Sequence, residues 1–151
     1  MRESYDKAFD FLCSIERYIS NTPGDSGGLT IWGISHRWYP EAVDAMQHLS
    51  EGDAKTYAKN WYFNHYWEPE GCNDLAYPLD CYVFVESVNT EGADCHRTRD
   101  MAKSASSPEN FLRVMDVHYK EIAELHPEKA KFLRGWENRL AQIKTAFTEV
   151  S

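Results

Sequence analysis

The chain has 151 residues, the size of one ordinary domain with room for a real core. Its formal net charge of −8 argues against a nucleic-acid partner, whose phosphates repel it at long range, and no apolar run approaches the roughly 20 residues that span a bilayer. Trp, Tyr and Phe make up 14% of residues, which suits a dense core or a groove that stacks on sugars.

The start, Met1-Arg2-Glu3-Ser4-Tyr5-Asp6-Lys7, is charged and amphipathic and lacks a signal-peptide apolar stretch, so synthesis in the cytoplasm is expected. A first helix is expected from about Ser4 to Tyr18, with Ala8, Phe9, Leu12, Ile15 and Ile19 at helical spacing. It stops before the turn formers Asn21-Thr22-Pro23-Gly24-Asp25-Ser26-Gly27-Gly28. Thr30, Trp32 and Ile34 then alternate with Ile31 and Gly33, which reads as a short strand or hairpin arm. Pro40 opens a brief helix through Gln47, and a longer one begins near Ser50 with Ala54, Tyr57, Ala58, Trp61 and Tyr62 on one side.

The second half reads as three more helices. The first holds Leu79, Tyr82, Val83 and Phe84, ends near Asn89-Thr90-Glu91-Gly92, and is apolar enough to be central. Ser107-Pro108-Glu109 starts the next, whose stripe of Phe111, Leu112, Met115, Tyr119, Ile122 and Leu125 stops at His126-Pro127. The last carries Phe132, Trp136, Leu140, Ile143 and Phe147. The fold class is therefore mainly α with one small β element.

Cys13, Cys72, Cys81 and Cys95 show no C-x-x-C pairing and read as structural free thiols. The six histidines show no metal-ligand spacing. Neither a metal nor a cofactor is expected.

Candidate chemistry lies between Glu16 and Ile34. Glu16 falls at the C-terminal end of the first helix, where the partial negative charge disfavours an ionised carboxylate, and burial would raise its pKa further. A carboxyl held protonated at neutral pH is what protonating a glycosidic oxygen requires. Asp25 sits in a Gly/Ser-rich turn where solvent and backbone N–H groups keep it ionised. Two carboxylates in contrasting environments are the usual equipment for glycosidic cleavage. On spacing alone, a solvated Glu and a turn-forming Asp remain open readings.

The stretch from Glu16 to Ile34 resembles the signature of glycoside hydrolase family 108, roughly E-G-G-Y-x-N-x-P-x-D-x-G-G-x-T-x-Y-G-I. Glu16, Asn21, Pro23, Asp25, Gly27, Gly28, Thr30, Gly33 and Ile34 fall in register, and Trp32 takes the aromatic place. The likeness continues through Tyr66-Trp67, through Phe84 to Asn89-Thr90, and into Phe132 with Gly135-Trp136-Glu137-Asn138-Arg139. Arg17-Tyr18 stands where the family has a glycine pair. The acid of F-D-x-x-V-N is moved one place to Glu86, a turn of about 100 degrees on a helix.

The resemblance implies one lysozyme-like domain over residues 1–151, with a catalytic-motif half (1–70) and a helical peptidoglycan-binding half (71–151). It implies an N-acetylmuramidase that cleaves the β-1,4 bond between N-acetylmuramic acid and N-acetylglucosamine. Glu16, Asp25 and Thr30 are then catalytic, and Tyr18, Asn21, Gly28, Trp32 and Asn89 contact substrate. The expected partner is the peptidoglycan strand, met by a monomer without membrane insertion, in phage lysis or wall penetration. A lytic transglycosylase of the same fold, or a wall-binding or virion protein without turnover, stays open as an alternative.

Overall fold

The computed structural model describes residues 2–21, 28–90 and 97–148. Helix α1 spans Arg2–Ile15, and strands β1 (Ile19–Asn21), β2 (Leu29–Ile31) and β3 (Ile34–Ser35) follow it. Helices α2 (Pro40–Gln47), α3 (Glu51–Tyr62), α4 (Leu79–Thr90), α5 (Arg97–Ser104), α6 (Pro108–Leu125) and α7 (Leu133–Ala146) complete the order. A π-helical turn, Phe63–Trp67, extends α3. The fold is mainly α and lysozyme-like, as expected. Among the described residues, no helix is long and apolar enough to cross a membrane.

Local chemistry sets the helix starts. The Ser50 hydroxyl accepts the Asp53 N–H at 3.1 Å, and the Ser107 hydroxyl accepts the Asn110 N–H at 3.0 Å, so each satisfies a donor that its first turn leaves over. Pro40 and Pro108 occupy first-turn positions, where a missing N–H costs nothing. Helix α5 starts differently: the buried Glu70 carboxylate accepts the N–H of Arg99 at 3.2 Å. A carboxylate at a helix N-terminus also complements the partial positive charge there.

Helix α4 is the hub. Every residue from Asp80 to Ser87 is buried, and α1, α5, α6 and α7 pack around it. One continuous core joins Tyr5, Phe9 and Leu12 of α1 to Leu140, Ile143 and Phe147 at the other end of the chain. The closing contacts are specific: the Tyr82 hydroxyl donates to the Phe147 carbonyl at 2.9 Å, and the Phe11 and Phe147 rings meet edge-on at 5.3 Å.

The first helix is shorter than its apolar spacing suggests. It stops at Ile15, and Ile19 belongs to β1, half exposed, with Ile31 as its cross-strand partner. The small β-hairpin element expected after the first helix is present as three antiparallel strands, with a turn at Trp32-Gly33 between β2 and β3. Ile31 and Ile34 are therefore the core-facing pair, rather than Thr30, Trp32 and Ile34 sharing one face.

Candidate active site

The site is built where α1 ends. The Glu16 N–H still bonds the Leu12 carbonyl at 2.9 Å, but Glu16 itself lies beyond the last helical residue. Its side chain turns inward beneath the β2–β3 turn. A Cβ added to Gly33 would sit 2.9 Å from both Cγ and Cδ of Glu16 and 2.8 Å from the Tyr62 hydroxyl oxygen. Gly33 has φ +83°, so glycine is required both by conformation and by the closeness of the carboxyl. Burial raises the pKa of Glu16, and the positive charge of Arg139 on α7 partly opposes it.

The turn above Glu16 is pinned from two sides. The Trp32 N–H donates to the Tyr18 carbonyl at 2.8 Å, and the Tyr62 hydroxyl donates to the Trp32 carbonyl at 2.9 Å. Trp32 adopts φ +49°, a left-handed conformation rare for a bulky residue and costing about 1–3 kcal/mol. Its ring lies 5.5 Å from that of Tyr18, and the Lys55 ammonium sits 5.4 Å from its centroid. The result is a two-ring aromatic patch beside the turn, with the Lys55 cation over the Trp32 ring.

Thr30 is on β2, opposite Ser20 of β1 and Ser35 of β3, with its hydroxyl directed to the Ser20 carbonyl at 3.5 Å. Asn21 is exposed on β1 and pairs with Leu29. Gly28 adopts φ +61°, which suits entry into β2. Asn89 is half-buried in the last turn of α4, away from the hairpin in sequence. Asp25 lies outside the described residues. Arg17 is exposed and is not among the charges that shift Glu16.

Behind the site is a second carboxyl. Glu86 on α4 is fully buried, and its Oε1 accepts the Tyr119 hydroxyl at 2.9 Å. Burial pushes its pKa up to about 7, against the opposing pull of Tyr119 and Arg139. Arg139 thus lends positive charge to both Glu16 and Glu86. The Gly135-Trp136-Glu137-Asn138-Arg139 segment has a divided role: Trp136 packs on Tyr119 at 5.1 Å, while Arg139 serves the two acids. Cys13, Cys72 and Cys81 are free thiols, and burial pushes Cys13, beside Glu16, up to about 11. Cys95 lies outside the described residues. Among the described residues, no group of three or more His, Cys, Asp or Glu side chains could hold a metal ion.

A half-buried carboxyl just past a helix end, under a glycine turn and with a raised pKa, is placed to give up a proton. The family profile described as glycosyl hydrolase 108 matches residues 9–90, from α1 through α4. The chain belongs to this family. The glycosyl hydrolase 108 match takes in Glu16, Gly33, Tyr62 and Glu86, while Arg139 reaches the site from beyond it. The solved structure of SagA from Brucella abortus superposes with a TM-score of 0.69 at 18% identity, covering 100% of this chain and 99% of that one, which shows a shared fold. No curated protein matches the chain.

Sequence reasoning did not single out Gly33, Tyr62 or Arg139 as parts of the site. Gly33 and Arg139 carried a signal, since both stand in the family motifs. Tyr62 carried none, because on α3 it reads as one more apolar-face aromatic.

Proposed function

We propose that this glycoside hydrolase cleaves peptidoglycan, at the β-1,4 bond between N-acetylmuramic acid and N-acetylglucosamine, with Glu16 as general acid. The observation that carries the reading is the half-buried Glu16 carboxyl just past the end of α1, whose surroundings raise its pKa and so favour its protonated form. Glu16 donates its proton to the glycosidic oxygen as the bond from C1 to that oxygen breaks, and the bonding pair leaves with the oxygen. Asp25, with Thr30, positions the water that attacks C1 or stabilises the positive charge that develops there. Family membership and the motif register support these two roles.

Tyr18 and Trp32 offer ring faces to a sugar, and Asn21, Gly28 and Asn89 contribute polar or backbone contacts along the strand. With a net charge of −8, the protein gains no long-range attraction from an anionic wall, so these local contacts supply the binding. The half from residue 71 onward holds the strand while the half before it carries the acid. The setting is phage lysis or wall penetration, with the protein acting as a monomer on the wall after leaving the cytoplasm.

Purified sacculi test the reading. Incubation with the protein releases soluble muropeptides with reducing ends, read by mass, and Glu16→Gln abolishes release while binding persists. Anhydro ends would assign a lytic transglycosylase instead. Binding without release by the wild type would make it a wall-binding protein.

A further inference from the structure

The seam between α1 and α3 is open on its outer side as a trough. At one end the Lys55 ammonium sits 5.4 Å from the Trp32 ring centroid. From Lys55 a small depression, shared with Asp10, follows the seam, and through Thr56 and Lys59 it joins a cleft of about 870 Å³. The floor is shut: Tyr5 is buried, its ring meets Phe63 edge-on at 5.2 Å, and its hydroxyl donates to the Lys59 carbonyl. The rim is rich in amides. Thr56, Asn60 and Asn64 follow one another at four-residue steps on α3 and its π-helical extension, about 6 Å apart along the axis. Asn73 joins them from the turn Cys72–Asp74, and because its Oδ1 accepts the Trp67 indole N–H at 2.8 Å, its NH2 is left to donate.

An extended peptide repeats every two residues, about 6.6–6.8 Å, and offers one N–H and one C=O per residue. An Asn side chain both donates and accepts, so amides about 6 Å apart match that repeat in distance and in chemistry. From Thr56 to Asn64 is about 12 Å, the reach of about four extended residues. The charges are mixed: Lys59 pairs with Asp6 at 2.8 Å, and Asp10 and Asp74 also line the trough. Selectivity therefore lies in the amides rather than in charge. A glycan would need open ring faces, and of the two rings here Tyr5 is buried and Phe63 half-buried. Peptidoglycan carries a peptide on the lactyl group of its N-acetylmuramic acid, and the trough begins at the Trp32 ring. We propose that the trough binds the peptide of a strand whose sugars lie at Tyr18 and Trp32, with Asn60, Asn64 and Asn73 bonding its backbone. The inference rests on the peptidoglycan reading and adds what the site recognises beyond sugar.

The test uses soluble, uncrosslinked strands before and after an amidase has removed their peptides. Wild-type protein cuts the peptide-bearing strands faster by about tenfold or more, and Asn60→Ala/Asn64→Ala brings the ratio of the two rates close to one, the size expected for two lost neutral hydrogen bonds. Both side chains are exposed and alanine favours helix, so the variant keeps its fold, which its circular-dichroism spectrum checks. Equal wild-type rates on the two substrates, or a preference that survives in the variant, overturn the proposal. A second arm needs no turnover. The side-chain amide signals of Asn60 and Asn64 are followed by NMR in 15N-labelled full-length protein as peptides freed by the amidase, or chitooligosaccharides, are added. The signals move with the peptides alone. Signals that move with the sugar, or with neither, overturn the proposal. Absence of cutting on both substrates would defeat the functional reading, and the NMR arm would still decide what the trough binds.

Discussion

Replacing Glu86 by Gln separates a buried acid's contribution to stability from its contribution to shape. Glutamine keeps the outline and an Oε1 that can accept the Tyr119 hydroxyl. Glu86 titrates near 7 in the folded protein, against an ordinary value of 4.5. Between those two values the unfolded chain has released the proton that the folded chain still holds, so stability falls as pH rises. The contribution is fully present below pH 4.5 and lost as pH passes through about 7. At about 1.4 kcal/mol per pH unit the difference accumulates to about 3 kcal/mol by pH 8. Glu86→Gln therefore gains stability relative to wild type as pH rises from 4.5 to 8, by an amount worth on the order of 10 °C in Tm for a chain this size. Any fixed cost of the new amide shifts the whole curve and leaves this slope untouched. Urea unfolding of both proteins at half-unit pH steps reads the difference directly. Curves that stay parallel from pH 4 to 8 would refute the reasoning, because Glu86 would then titrate alike in both states.

Four further outcomes are expected. Glu16→Gln lowers wall turnover by at least 100-fold with an unchanged circular-dichroism spectrum, the scale of a lost general acid; retention of a tenth of the wild-type rate would remove Glu16 from that role. Gly33→Ala drives its methyl into the Glu16 carboxyl, cutting activity at least tenfold and stability by about 1–2 kcal/mol; a variant as active and stable as wild type would deny the close contact. Arg139→Met removes the charge that favours ionised Glu16, so the upper limb of the pH–activity profile moves to higher pH, whereas Arg17→Gly leaves that limb in place; the opposite pattern would make Arg17 the controlling cation. Asp25→Asn costs far more activity than Glu86→Gln, since Glu86 is fully buried; equal losses at the optimum pH would transfer the second-carboxylate role to Glu86.

The helices legible in the sequence were those whose apolar stripe and start signal agree. Helix α6 has both, in Phe111, Leu112, Met115 and Tyr119 behind the Ser107-Pro108 cap. Helix α5 has neither. Only Thr98 and Ala102 are buried on it, and its start is fixed by Glu70, distant in sequence, which periodicity cannot register. The end of α1 was blurred for a related reason: Ile19 continues the helical spacing, but its backbone is taken by pairing with Ile31. Glu16 was legible because helix-end position and motif register coincide. Its surroundings were not, since Tyr62, beside Gly33, and Arg139, whose charge opposes the raised pKa, come from α3 and α7 only through tertiary packing.

The meeting of Phe147 with Phe11 and Tyr82 has a consequence for the order in which the molecule comes into being. A ribosome makes Glu16 and its glycine turn early, but Arg139 and the clasp at Phe147 emerge more than a hundred residues later. Until then α1 lacks the aromatic contact that seals its outer face, and Glu16 lacks the cation that moderates its proton affinity. The nascent chain therefore lacks the full surroundings of Glu16 while it is still being threaded out. The surroundings of Glu16 are completed by the last helix, as a property of the closed ring of contacts rather than of the motif that names the family.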